Sequence, residues 1–159
     1  MIRPNKPVIL FCDFDNTHHQ DALVRLINAY KQDPMGGSVP FTEDEGRTLV
    51  KSLSSHPSCF VMFVMYKGEY VGLATCFINY STFRLAPYIN VHDVVILEPY
   101  RGVGLGKALL MKIINIASER GYCKVNLEVR QDNHPAKALY ASLGFKECET
   151  PMHFWERLL

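Results

Sequence analysis

Arg101-Gly102-Val103-Gly104-Leu105-Gly106 decides how this chain is read. Before it, Tyr88 to Leu97 is rich in valine and isoleucine and reads as a strand. After it, Leu109, Leu110, Ile113, Ile116 and Ala117 share one helical face between Lys107 and Arg120, and Gly121 stops that helix. A glycine turn between a strand and a helix has a physical use. Glycines let the backbone approach a ligand closely and adopt positive φ. The helix start offers unpaired N–H groups and the positive end of the dipole. The stretch from Gly102 to Lys107 is therefore expected to hold phosphate oxygens, with charge from Arg101 and Lys107.

A dinucleotide-binding reading does not fit. That fingerprint is GxGxxG, whereas the spacing here is GxGxG. It also needs an acidic residue ending the next strand, and Glu128 lies inside its strand.

Working outward, Val8 to Cys12 is a short apolar run and reads as a strand. Leu23, Leu26, Ile27 and Tyr30 recur at helical spacing, and Asp33-Pro34-Met35-Gly36-Gly37 ends that helix. Thr42 and Glu45 form a capping box that starts a second helix through about Leu53. Phe60 to Tyr66 and Tyr70 to Ile78 read as a hairpin joined by Lys67-Gly68-Glu69, and Ser81 to Pro87 reads as a loop. Val125, Leu127 and Val129 alternate with polar residues, giving a half-buried strand over Lys124 to Arg130. Asn133 caps a short helix with Pro135 in its first turn and Gly144 at its end. Phe145 to Leu158 reads as one or two final strands. The expected class is α/β (α+β), a single domain over 1–159 with a mixed, mostly antiparallel central sheet and helices on both faces.

Composition excludes several classes. The chain has 159 residues, 48% apolar and 21% charged, as globular domains do. A net charge of +1 leaves no basic footprint for nucleic acid. No apolar run approaches the ~20 residues of a membrane span. Met1 to Leu10 has a basic start without a long apolar stretch, so no signal peptide is expected. Five scattered cysteines, Cys12, Cys59, Cys76, Cys123 and Cys148, without a CxxC pair, fit reduced thiols in a cytoplasm.

Arg101 to Gly106 resembles the Arg/Gln-x-x-Gly-x-Gly/Ala motif of the GCN5-related N-acetyltransferases. Asn133, Ala136 and Tyr140, followed by Leu143-Gly144-Phe145, are similar to that family's Asn-x-x-Ala-x-x-x-Tyr…Gly-Phe pattern. The likeness covers residues 88 to 148 in motif and the N-terminal half in element order. It implies the acyl-CoA N-acyltransferase fold and acetyl-CoA as co-substrate, with no metal. It implies that N–H groups of Gly102, Val103, Gly104, Leu105, Gly106 and Lys107 hold the pyrophosphate. The backbone of Val94, Val95 and Ile96 would pair with the pantetheine arm, which needs Lys124 to Arg130 to splay away. Asn133 and Ala136 would line the opposite wall, and Tyr140 would protonate the leaving thiolate. The acceptor would be a small-molecule or peptide amine, and a homodimer fits the resemblance.

The base is sought on the strand, at His92 or Asp93, polar residues in a mainly apolar run that needs a reason for them. Strand alternation points the two to opposite faces. Two competing readings have their own signals. Asp13-Phe14-Asp15-Asn16-Thr17 after an apolar strand resembles the first motif of haloacid-dehalogenase-type, magnesium-dependent phosphatases. That family's late acidic pair is missing, and Asp13 and Asp15 read instead as loop residues, with Asp15 or Thr17 as a helix cap. His18-His19 reads as a helix start. A non-catalytic acyl-CoA sensor would keep the glycine turn and dispense with Tyr140.

Overall fold

A computed structural model describes residues 6–159; the start of the chain, with Arg3, lies outside the described residues. The chain forms β1 (Val8–Phe11), α1 (Thr17–Gln32), α2 (Glu43–Ser55), β2 (Cys59–Tyr66), β3 (Glu69–Ser81) and β4 (Ala86–Ile96). A single 3-10 turn (Glu98–Tyr100), α3 (Leu105–Glu119), β5 (Val125–Leu127) and α4 (His134–Ser142) follow. The five strands lie in sequence order. Pairings from β1 to β4 are antiparallel and β4 with β5 is parallel.

Apolar side chains cover both faces of this sheet, so each face buries a separate core. On one face Met62, Val64, Ala74, Cys76, Ile89 and Val91 pack against Leu105, Leu109, Leu110 and Ile113 of α3, with α4 at the margin. On the other, Val61, Phe63, Leu73 and Val95 pack against Ala22, Leu23, Leu26 and Ile27 of α1, with α2 beside it. No helix among the described residues is long and apolar enough to cross a membrane.

Local signals set most element ends. Thr42 Oγ1 accepts the Glu45 N–H while Glu45 accepts the Thr42 N–H, so the capping box is complete. Asn133 Oδ1 accepts the Ala136 N–H at 3.2 Å and starts α4. The cap of α1 is Asn16, whose Oδ1 accepts the His18 N–H at 2.9 Å, rather than Asp15 or Thr17. Asp13 serves a turn there, its Oδ1 accepting the Asp15 N–H at 3.0 Å.

The structure corrects three sequence expectations. The β3–β4 connection is only Thr82 to Leu85, because both strands run on past Ser81 and Pro87. Helix α3 starts at Leu105, so Gly106 is helical, and a Cβ there would meet Leu139 at 3.2 Å. The final strands do not form, since Phe145 to Leu159 has no regular structure. Aromatic content suits a strand, but a strand needs a neighbour's free edge. β5 offers three residues, and Pro151 cannot donate to a ladder. Trp155 is consequently 89% exposed.

Thr42→Ala removes one half of the capping box. It should lower stability by about 1 kcal/mol, read as a lower urea midpoint with an unchanged slope. An unmoved midpoint would mean that α2 is held by packing alone.

Candidate functional site

The site begins with an incomplete pairing. β4 pairs with β3 along Ala86 to Ile96, but with β5 only at Ile89↔Val125, Asn90↔Asn126 and Val91↔Leu127. The Asn90 and Asn126 side-chain amides bond across this short contact at 3.2 Å. Beyond Leu127 the chain leaves the sheet, two residues before the expected last apolar position, Val129. The edge of β4 past Val91 is thereby open.

Register identifies the groups on that edge. Leu97 N–H bonds to Val71 O at 2.9 Å, so Leu97 faces β3. Antiparallel ladders alternate, so Val95 also faces β3, and Val94 and Ile96 turn their N–H and C=O groups to the open side. The Ile96 carbonyl accepts Arg101 Nε at 2.8 Å. Of the three residues expected to pair with an extended ligand, Val94 and Ile96 present backbone groups, and Val95 is buried in the core under α1.

The open edge leads to the glycine turn. Arg101 N–H closes the preceding turn on Glu98 O at 3.1 Å, and the next backbone bond from a following N–H is Ala108 to Gly104 O at 3.0 Å. Between them, the N–H groups of Gly102 to Lys107 have no acceptor among the described residues. Gly104 is the N-cap, with φ +86°. A side chain would be strained in this left-handed conformation, and the space around its missing Cβ is open.

Arg101 does not point its charge freely at this turn. Its Nη2 pairs with Asp33 Oδ2 at 2.7 Å. Asp33 Oδ1 also accepts the Met35 N–H at 2.9 Å. That N–H, and next the Arg101 guanidinium, hold the Asp33 carboxyl below the usual carboxylate range. Arg130, beyond β5, pairs with Asp132 and sends Nη1 to the Met35 carbonyl at 3.5 Å. The turn after α1 is thus held by arginines from both sides of the opening. A cavity of about 270 Å³ lies here, lined by Ala29, Asp33, Ile96, Leu97 and Arg101.

Tyr140 packs from α4 against the core under α3 and against Phe145, with ring centres 5.9 Å apart. Its hydroxyl makes no hydrogen bond among the described residues, and burial, then Tyr30, raise its pKa above the usual phenol value. Asn133 spends its Oδ1 on the α4 cap, and Ala136 is half-buried behind it.

His92 and Asp93 correct the expectation of opposite faces. Thr75 pairs with Asp93 and Cys76 with Val91, so His92 is the extra residue of a β-bulge. The bulge turns both side chains to the α1/α2 face. His92 stacks edge-on against Phe77 at 5.7 Å, and Asp93 stands opposite Thr75; Thr75 and Phe77 are two apart on one face of β3. His92 is exposed, whereas Asp93 is largely buried. Burial raises the Asp93 carboxyl above the usual range, offset by His92 and Thr75.

Sequence reasoning singled out neither Thr75 nor Arg130, and took Tyr30 and Asp33 only as part of a stretch, not as individual site groups. Tyr30 looked like one more residue of an apolar helix face. Asp33 and Arg101 are 68 residues apart, with no local signal linking them. Thr75 had one: a hydroxyl inside the apolar run Val71 to Cys76. Asp13 and Asp15 lie after β1, three strands from β4, and stay outside the site.

The profile of the Acetyltransferase (GNAT) family matches residues 20–145. An N-alpha-acetyltransferase of Arabidopsis thaliana is 33% identical over 97 residues, covering 61% of this chain and 49% of that protein. The match therefore spans about half the length of that relative. Among solved structures, a probable acetyltransferase superposes with a TM-score of 0.80 at 19% identity, over 97% of this chain and 98% of its own. An aminoglycoside N-acetyltransferase in complex with CoA superposes with a TM-score of 0.75 at 18% identity, over 99% of both chains. At these identities the two structures establish a shared fold.

Gly104→Glu sets a carboxylate among the open N–H groups and should abolish acetyl-CoA binding in calorimetric titration. Gly104→Asn tolerates the left-handed backbone and separates strain from charge. Unchanged affinity in a folded Gly104→Glu protein would remove the turn from the ligand site.

Proposed function

The chain belongs to the acetyltransferase (GNAT) family, and from that premise we propose that it transfers the acetyl group of acetyl-CoA to a primary amine by direct attack in a ternary complex. The observation that carries this reading is the open edge of β4 running into six unpaired N–H groups. Val94 and Ile96 offer an extended amide chain the pairing that β5 withholds. Gly102 to Lys107 offer donors to two linked phosphates. A pantetheine arm ending in a pyrophosphate has those two chemistries in that order.

The amine comes from the α1/α2 side. A primary ammonium has a pKa near 10.4, so about 1 in 2,500 molecules is a free nucleophile at pH 7. Asp93, with its pKa raised by burial, is a better proton acceptor than an ordinary carboxylate. His92, exposed beside Phe77, is the second candidate base. As the N–C bond forms, the carbonyl oxygen gains charge that strand N–H groups stabilise. As the C–S bond breaks, Tyr140 gives its proton to the thiolate. Its raised pKa keeps the phenol protonated until that moment.

The acceptor class is a small-molecule or peptide amine, a reading to which the N-alpha-acetyltransferase relative lends support. The reading includes a cytoplasmic enzyme, which five free cysteines support.

Release of free thiol from acetyl-CoA, screened against a panel of amines, tests the activity. Tyr140→Phe should lower kcat by about 10²- to 10⁴-fold and leave KM for acetyl-CoA nearly unchanged, because the ring still packs. Full kcat in that variant would return Tyr140 to a packing role. The base is read from the pH profile of kcat/KM. The acidic limb should flatten in Asp93→Asn and persist in His92→Gln; the reverse pattern would assign the proton to His92.

A further inference from the structure

We propose that Thr75 is a positioning residue for Asp93, its buried hydroxyl fixing the carboxylate from across the β3–β4 pair. This rests on the reading of Asp93 as the base. Thr75 is 2% exposed, and its Oγ1 has no hydrogen-bond partner among the described residues. Its neighbours along β3 are Leu73, Ala74, Cys76 and Phe77. A valine would fill the same volume without burying a hydroxyl, and an unsatisfied buried hydroxyl destabilises a fold. A polar group kept there needs a polar neighbour, and the register supplies one. Thr75 stands directly opposite Asp93, at the point where the ladder shifts to absorb His92.

The bulge sets the two side chains on one face. Without the extra residue, alternation along β4 would carry one of His92 and Asp93 to the α3 face. With it, Asp93 shares the face of Thr75 while its neighbour Val94 points to the core under α3. The carboxylate stands between that hydroxyl and the groups around it. Those are Tyr30 from α1, Cys59 from β2 and His92 beside it on β4, while Cys76 lies behind, on the α3 face of the sheet. The Cys59 thiol is pushed up to about 11 and the Cys76 thiol higher still, both mainly by burial, so both stay neutral. Tyr30 is raised as well, first by burial and then by Asp93. Among these neighbours, Thr75 supplies a neutral donor on the sheet side that favours the charged carboxylate.

The sign of the effect follows. Removing the hydroxyl removes support for the carboxylate, so the Asp93 pKa rises further. The acidic limb of kcat/KM should then move to higher pH in Thr75→Val. At a fixed pH on that limb kcat/KM should fall about tenfold, the scale of a hydrogen bond to a charged group. KM for acetyl-CoA should hold, since Thr75 lies on the far strand from the open edge.

The experiment pairs two readouts on Thr75→Val, Thr75→Ala and Thr75→Ser. One is the carbon-13 titration of the Asp93 carboxyl by NMR in the protein alone, which needs no turnover. The other is the pH profile of kcat/KM. The expected result is a carboxyl titration displaced upward in Val and Ala, restored in Ser, and followed by the rate profile. An Asp93 titration unmoved in the folded Val and Ala variants would overturn the proposal. A displaced titration with an unmoved rate profile would uphold the Thr75 contact and overturn Asp93 as the base.

Discussion

Every feature of the site depends on how one strand's hydrogen bonds are divided. β4 gives one edge to β3 throughout and only three residues of the other edge to β5. Backbone N–H and C=O groups are obligatory hydrogen-bonding groups, so an edge left open inside a sheet demands a partner. Arg101 answers part of the demand by donating to Ile96. The remaining groups of Val94 and Ile96 stay available to an extended ligand. The same strand then feeds the glycine turn, so the open edge and the unpaired turn N–H groups are continuous along the chain.

Two further devices work from this edge. The bulge at His92 turns the polar residues of β4 toward α1 and α2, away from the core under α3. The turn after α1 is gripped by Arg101 through Asp33 and by Arg130 through Met35. That turn closes one side of the opening. The strand edge and the glycine turn thus offer mainly backbone groups, whereas the polar side chains on the α1/α2 face come from several elements. This division explains why the first has a recognisable motif and the second does not.

The legible parts of the sequence were those with local causes. Thr42 with Glu45, and Asn133 with Pro135 and Gly144, each mark an element end within a few residues. The glycine turn was legible as a helix start for the same reason, since glycine spacing and a helix face adjoin. Three things were not. The stop of β5 at Leu127 depends on what pairs with β4, and Val129 continues the apolar alternation regardless. The bulge leaves no mark in composition, because His92 and Asp93 fit an ordinary alternation as well as an interrupted one. The tail from Phe145 carries strand-forming aromatics but has no edge to join.

Amide hydrogen exchange with and without acetyl-CoA tests the central claim most directly. The account predicts slowed exchange at Val94 and Ile96 and across Gly102 to Lys107 on binding. The N–H of Val95, already paired to β3, should change little, as should those around Asp13 and Asp15. Saturable acetyl-CoA binding with no added protection at Val94, Ile96 or the turn would place the ligand elsewhere and contradict the account.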